Sequence, residues 1–123
     1  MTIIKSYTSI EQSKKLAEIL PLETADMCYL PTHIGDEHHF IASLSPYSMC
    51  TKMTDVSIEY CTPCWSLAAL LGVLPRIEDL KPVLDLEINY IQYPSDIDLS
   101  ATTDNPVDAC VAMIEKLHEL KML

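Results

Sequence analysis

Cys61-Thr62-Pro63-Cys64 carries the sharpest chemical signal in the sequence, a C-x-x-C spacing directly before an apolar segment. If that segment opens a helix at Thr62, the positive end of the helix would lower a thiol pKa and make the thiolate nucleophilic. That is the chemistry of thiol–disulfide exchange. The order of parts suits it. Against it, Trp65 follows the motif instead of preceding it, and the next strand begins too soon for the extra strand–helix unit such a fold needs. Two reduced structural cysteines are the more ordinary reading.

Cys28, His33, His38 and His39, with Cys50 or Asp36 nearby, are residue types that ligate zinc, and a folded loop could bring them together. Their spacing follows no standard zinc pattern, and His38 and His39 would point opposite ways on a strand. Asp96-Ile97-Asp98-Leu99-Ser100 has the opening of a calcium loop, but Ala101 stands where glycine is required and Val107 where glutamate is required, so the motif is rejected. Asp85 and Glu87 would project from one strand face, where alternating charges are the rule on a solvated sheet, and no nucleophile accompanies them. The only glycines, Gly35 and Gly72, build no phosphate-cradling loop, and no G-x-S-x-G or H-E-x-x-H occurs. Nucleotide-dependent enzymes and the usual zinc proteases are thereby disfavoured.

The elements that would position these residues follow from pattern. Thr62 as N-cap and Pro63 as first residue begin a helix that is apolar throughout and stops at Pro75, so it belongs inside the molecule. Ser9 with Gln12 forms a capping box for an earlier helix reaching Leu20, with Lys14 and Lys15 on its solvated face. Asn105, Pro106 and Asp108 open a last helix whose inward stripe is Val107, Cys110, Val111, Ile114, Leu117 and Leu120. Strands are expected over 27–30, 39–44 and 53–60, with Ile3 and Ile4 a short lead. A long one from Val83 carries Leu84, Leu86, Ile88 and Tyr90 on one face, with a phase slip at Ile91. Residues 94–104 read as a polar, mobile connector. Three helices and about four strands around the buried central helix make one α/β or α+β sandwich spanning residues 1–123.

Composition narrows the class. The 123 residues are 49% hydrophobic and 21% charged, as in a globular domain with a real core. Eight cationic against eighteen acidic residues give a formal charge of −10, and Arg76 is the one arginine. That balance argues against nucleic acid, whose binding requires cations to replace phosphate counterions. It suits solubility and a basic protein partner. The first residues show no secretory signal, and the longest apolar run is too short for a bilayer. Five cysteines without disulfide spacing are expected to be reduced and mostly buried in a cytoplasmic protein.

The segments E-Q-S-K-K-L-A-E-I-L-P-L-E-T-A-D-M (11–27), P-C-W-S-L-A-A-L-L-G-V-L-P (63–75) and N-P-V-D-A-C-V-A-M-I-E-K-L-H-E-L (105–120) resemble a family of small uncharacterised proteins encoded in phages and prophage-like regions of gut anaerobic bacteria. The resemblance omits residues 31–60 and supplies no activity, cofactor or catalytic residue. It implies an accessory protein of a mobile element in a bacterial cytoplasm. The function expected is a non-enzymatic protein-interaction domain without cofactor or membrane, and an edge strand would suit a homodimer. The alternative is a thiol–disulfide redox protein using Cys61 and Cys64.

Overall fold

Ser9 and Gln12 open the first helix in the computed structural model, which describes residues 6–31, 40–43, 61–94 and 99–123. The Ser9 hydroxyl accepts from the Gln12 amide at 3.2 Å, and Gln12 Oε1 accepts from the Ser9 amide at 3.0 Å. This capping box satisfies donors that the first turn would otherwise leave without partners. Helix α1 covers Ile10–Ala17, ending one turn earlier than its apolar pattern, and Leu16 and Leu20 are both buried. A 3-10 turn at Leu22–Thr24 leads to strand β1, Met27–Pro31. Strand β1 pairs antiparallel with β2 (Phe40–Ser43) on one side and β3 (Thr62–Cys64) on the other. The strand expected over 53–60 and the lead at Ile3 and Ile4 lie outside the described residues.

The central helix begins later than its sequence suggests. Thr62 and Pro63 are not cap and first turn: both belong to β3, held by the pairing of Tyr29 with Thr62 and of Cys28 with Pro63. Ser66 is the cap instead, its hydroxyl accepting from the Ala69 amide at 3.2 Å, and helix α2 runs over Leu67–Val73. Asp26 steadies the cap by accepting from the Ser66 amide at 2.9 Å and from its hydroxyl. The segment enters the core through Trp65, Leu70 and Leu74. Ala68 and Gly72 are exposed, so small side chains let an apolar helix meet water with little apolar area.

Helix α3, Pro106–Glu119, has the expected start: Asn105 Oδ1 accepts from the Asp108 amide at 2.9 Å, with Pro106 in the first turn. Seven of its residues are buried, from Val107 to Leu117. Its first turn is tied to that of α1, because Gln12 Nε2 donates to Asp108 Oδ1 at 2.7 Å while Asn105 Nδ2 donates to Oδ2 at 2.7 Å. Two helix starts distant in sequence therefore share one carboxylate.

The long strand from Val83 is a hairpin instead. Strand β4 is Val83–Asp85, residues 86–89 turn, and β5 is Tyr90–Gln92. Asn89 takes φ 52°, a left-handed conformation that asparagine tolerates. The expected polar connector contains strand β6, Ser100–Thr102, preceded by the fully buried Leu99. Antiparallel pairing in the order β4-β5-β6 sets Leu84, Ile91 and Ala101 in one cross-strand row. That row packs into the core that α3 fills with Cys110, Met113, Ile114 and Leu117. Each large side chain fully removed from water there contributes about 1.5–3 kcal/mol. Every described strand pairing is antiparallel, so the architecture is α+β: three helices and two three-stranded sheets among the described residues.

Between α2 and β4 the backbone is strained. Ile77 and Leu80 exchange backbone hydrogen bonds of 2.9 and 3.0 Å across Glu78 and Asp79, whose φ angles are 55° and 63°. Two successive positive φ values define the type I′ geometry that Asn-Gly favours, and glutamate and aspartate occupy it at a cost. Replacing Glu78→Asn together with Asp79→Gly is expected to raise unfolding free energy by about 1 kcal/mol, after the added flexibility of glycine is discounted. Chemical denaturation checks this, and a loss of stability would contradict the strain.

Candidate functional site

The Cys61–Cys64 pair sits on and beside β3, not at a helix start. Cys64 is fully buried, and around it close the hydroxyls of Thr8, Ser13 and Tyr29. Thr8 Oγ1 lies 2.7 Å from Ser13 Oγ, donates to Cys64 Sγ at 3.7 Å, and accepts from the Trp65 amide at 3.2 Å. The Thr8 carbonyl accepts from Tyr29 OH at 2.6 Å and from the Cys64 thiol at 3.6 Å. Thr8 N in turn donates to the Trp65 carbonyl at 3.0 Å, and Trp65 Nε1 reaches Thr24 Oγ1 at 2.9 Å. No buried side-chain nitrogen or oxygen among the described residues lacks a partner.

These surroundings oppose thiolate formation. Burial pushes the Cys64 thiol above its ordinary value; the hydroxyl contacts from Thr8, Tyr29 and Ser13 pull the other way without reversing it, and Asp26 adds to the rise. Burial alone raises Cys61, and it raises Cys110 on α3 to about 11. Cys61, Cys64 and Cys110 are free thiols. A nucleophilic cysteine needs the opposite setting, a partly exposed sulfur near positive charge.

The other candidates separate. Cys28 is disulfide-bonded, which corrects the expectation of a reduced cysteine there and removes its thiolate from any zinc set. His33, Asp36, His38, His39 and Cys50 lie outside the described residues, as do Asp96 and Asp98. Asp85 and Glu87 do not share a strand face: Asp85 ends β4, and its Oδ1 accepts from the Glu87 amide at 2.9 Å in the hairpin loop. That contact is the ordinary turn role of aspartate. Searches against protein-family models, curated proteins and solved structures found no match.

Two open surfaces remain. A shallow groove between α1 and α3 is bordered by Glu11, Lys15, Glu18, Glu115 and His118, over a floor of Val111 and Ala112. Its inner polar groups, Gln12 and Asp108, already hydrogen-bond each other. The second surface is more unusual. Leu80, Val83, Leu86 and Ile88 are exposed at 45, 62, 63 and 58%, four large apolar side chains within nine residues. Leu80 closes the strained turn at Glu78 and Asp79, Val83 lies on β4, and Leu86 and Ile88 lie in the hairpin turn. Asp85 and Glu87 alternate with them, and Lys81 is engaged with the Leu74 carbonyl at 2.8 Å and Arg76 with that of Asp79 at 3.3 Å. This apolar strip, interleaved with carboxylates, lies next to the strained backbone of Glu78 and Asp79.

Sequence reasoning missed both the Thr8 cluster and this strip. A single threonine in an extended lead has no periodicity to mark it. Leu86 and Ile88 were hidden by an alternation that assigned them, with Leu84, to an inward face.

The thiols yield a pH prediction. In the unfolded chain a cysteine ionises near 9.0, whereas folded Cys110 holds its proton to about 11 and Cys61 and Cys64 shift the same way. The unfolded state therefore loses protons first as pH rises, and this contribution to stability, complete below pH 9, declines through pH 11. At neutral pH, labelling of all three thiols by a neutral disulfide reagent should run about a thousandfold below the unfolded rate, being gated by unfolding. Rapid labelling of Cys64 in native protein would overturn the closed-cluster description.

Proposed function

We propose that this protein is a non-enzymatic interaction domain that docks a basic protein partner on the surface from Arg76 to Asn89. The observation that carries this reading is the run of four exposed apolar side chains, Leu80 at the end of the preceding turn and Val83, Leu86 and Ile88 on the β4–β5 hairpin. Ordinary monomeric surfaces scatter such residues singly, and grouped ones mark contacts. The flanking carboxylates and the formal charge of −10 select a cationic partner and speed its encounter. The closed hydroxyl cluster around Cys64 favours this over thiol–disulfide exchange at Cys61 and Cys64.

An accessory role on a mobile element, in a bacterial cytoplasm, extends the proposal and rests on the sequence resemblance. The free thiols Cys61, Cys64 and Cys110 agree with a reducing compartment, and the Cys28 disulfide is the feature that opposes it. No helix among the described residues is long and apolar enough to cross a membrane.

Photo-crosslinking tests the docking surface. With a photoreactive phenylalanine at Leu86, irradiation in native host cells is expected to trap one discrete protein of net positive charge. The same group at Lys14, exposed on α1, should trap none of it. Identical adducts from both positions, or none from Leu86, would refute the assignment.

A further inference from the structure

We infer that the partner is held by strand addition: an extended segment whose outward-facing side chains are by turns apolar and basic pairs with the outer edge of β4. This rests on the interaction reading above and specifies its chemistry. Strand β4 is an outer strand in the order β4-β5-β6, so among the described strands its second edge faces no neighbour. Such an edge presents backbone donors and acceptors in a row, and proteins usually protect it with charge, proline or cover. Here Pro82 stands only at the entry, while Val83 beyond it is 62% exposed.

Side-chain direction within the sheet sets the code the guest must match. Leu84 turns inward to the row formed with Ile91 and Ala101, leaving Val83 and Asp85 together on the outer face. On that face a guest strand meets an apolar side chain and, two residues on, a carboxylate, and past the strand end the turn displays Leu86, Glu87 and Ile88. An apolar guest residue would cover Val83, while lysine or arginine two residues away on the same face would meet Asp85. Backbone pairing supplies affinity and the alternating side chains supply selectivity.

Charge decides the occupant. A second copy would bring Asp85 and Glu87 towards their own equivalents, and an anionic lipid surface would meet the same repulsion. The stretch's own cations, Arg76 and Lys81, are engaged with backbone carbonyls of neighbouring turns. A basic extended segment meets no such opposition.

The probe is the peptide acetyl-Val-Thr-Lys-Thr-Val-Thr-Lys-amide, whose valines and lysines take turns on one face, titrated into the 123-residue protein and followed by amide chemical shifts. Shifts concentrated on residues 82–88 are expected, as is at least about tenfold weaker binding of the same peptide with glutamate for lysine, a difference of about 1.4 kcal/mol. N-methylation of alternate guest amides, which leaves the side chains in place, should weaken binding by a further factor of about ten. Asp85→Asn with Glu87→Gln keeps the turn acceptor and should weaken the lysine peptide several-fold, whereas Glu11→Gln on α1 should not.

No binding, equal binding of both peptides, or insensitivity to N-methylation would overturn strand addition. Shifts confined to the α1–α3 groove would do the same. If native mass spectrometry shows a dimer that Val83→Asp dissolves, the edge serves a second copy and the inference fails. In each case a discrete crosslink from Leu86 would leave the broader interaction reading standing, whereas absence of any crosslink from Leu86 would remove that reading and strand addition with it.

Discussion

Thr8 is the residue on which the rest of this structure hangs. It is fully buried, and its amide, hydroxyl and carbonyl join the start of α1, strand β1, strand β3 and the entry to α2. An unsatisfied hydroxyl or amide at this depth would cost about 1–3 kcal/mol, and here each finds a partner. The constraint is mutual. The Tyr29 hydroxyl, the Trp65 amide and the Ser13 hydroxyl all bond to Thr8, and the two hydroxyls bond to Cys64 as well. Such a cluster ties β1 to β3 in one register.

That closure opposes ionisation of two cysteines whose spacing suits reactivity. The C-x-x-C chemistry depends on a helix end, and pairing with β1 places Thr62, Pro63 and Cys64 in a sheet before the helix begins. The helix dipole is then capped by Ser66 and the Asp26 carboxylate, beyond the thiol pair. Inertness in the core contrasts with strain and exposure at the other end of α2, where Glu78 and Asp79 hold positive φ and four apolar side chains face water. Free energy that a better turn would recover has been retained beside the apolar strip, and this coincidence supports the docking site we propose there.

Helix starts were the most legible elements. Ser9 with Gln12, and Asn105 with Pro106 and Asp108, act through local side-chain to backbone bonds, so neighbouring residues carry the whole signal. Thr62-Pro63 imitates the same signal, but Ser66 offers a second cap four residues on, and only the non-local pairing with Tyr29 and Cys28 selects it. The β4–β5 hairpin was hidden because its loop has an even number of residues. Leu84, Leu86, Ile88 and Tyr90 stay in alternation through the turn while the chain reverses, and the phase slip at Ile91 is the trace of that reversal. Glu78-Asp79 lacks the Asn-Gly signature of a type I′ turn, and Leu99 is a lone apolar residue in a polar stretch. As for the site, the cysteines drew the eye because their spacing is local, whereas the exposed strip exists only once the strand is known to fold back.

Native-state hydrogen exchange resolved to single amides tests the division between closed core and open surface most directly. The Thr8 and Trp65 amides are expected to exchange only through global unfolding, with identical dependence on denaturant, while amides of the 77–80 turn and the hairpin loop exchange through far smaller openings. Thr8 and Trp65 exchanging as fast as the hairpin loop would contradict it: the Cys64 cluster would then open in the native state, and the thiols would return as candidates for chemistry.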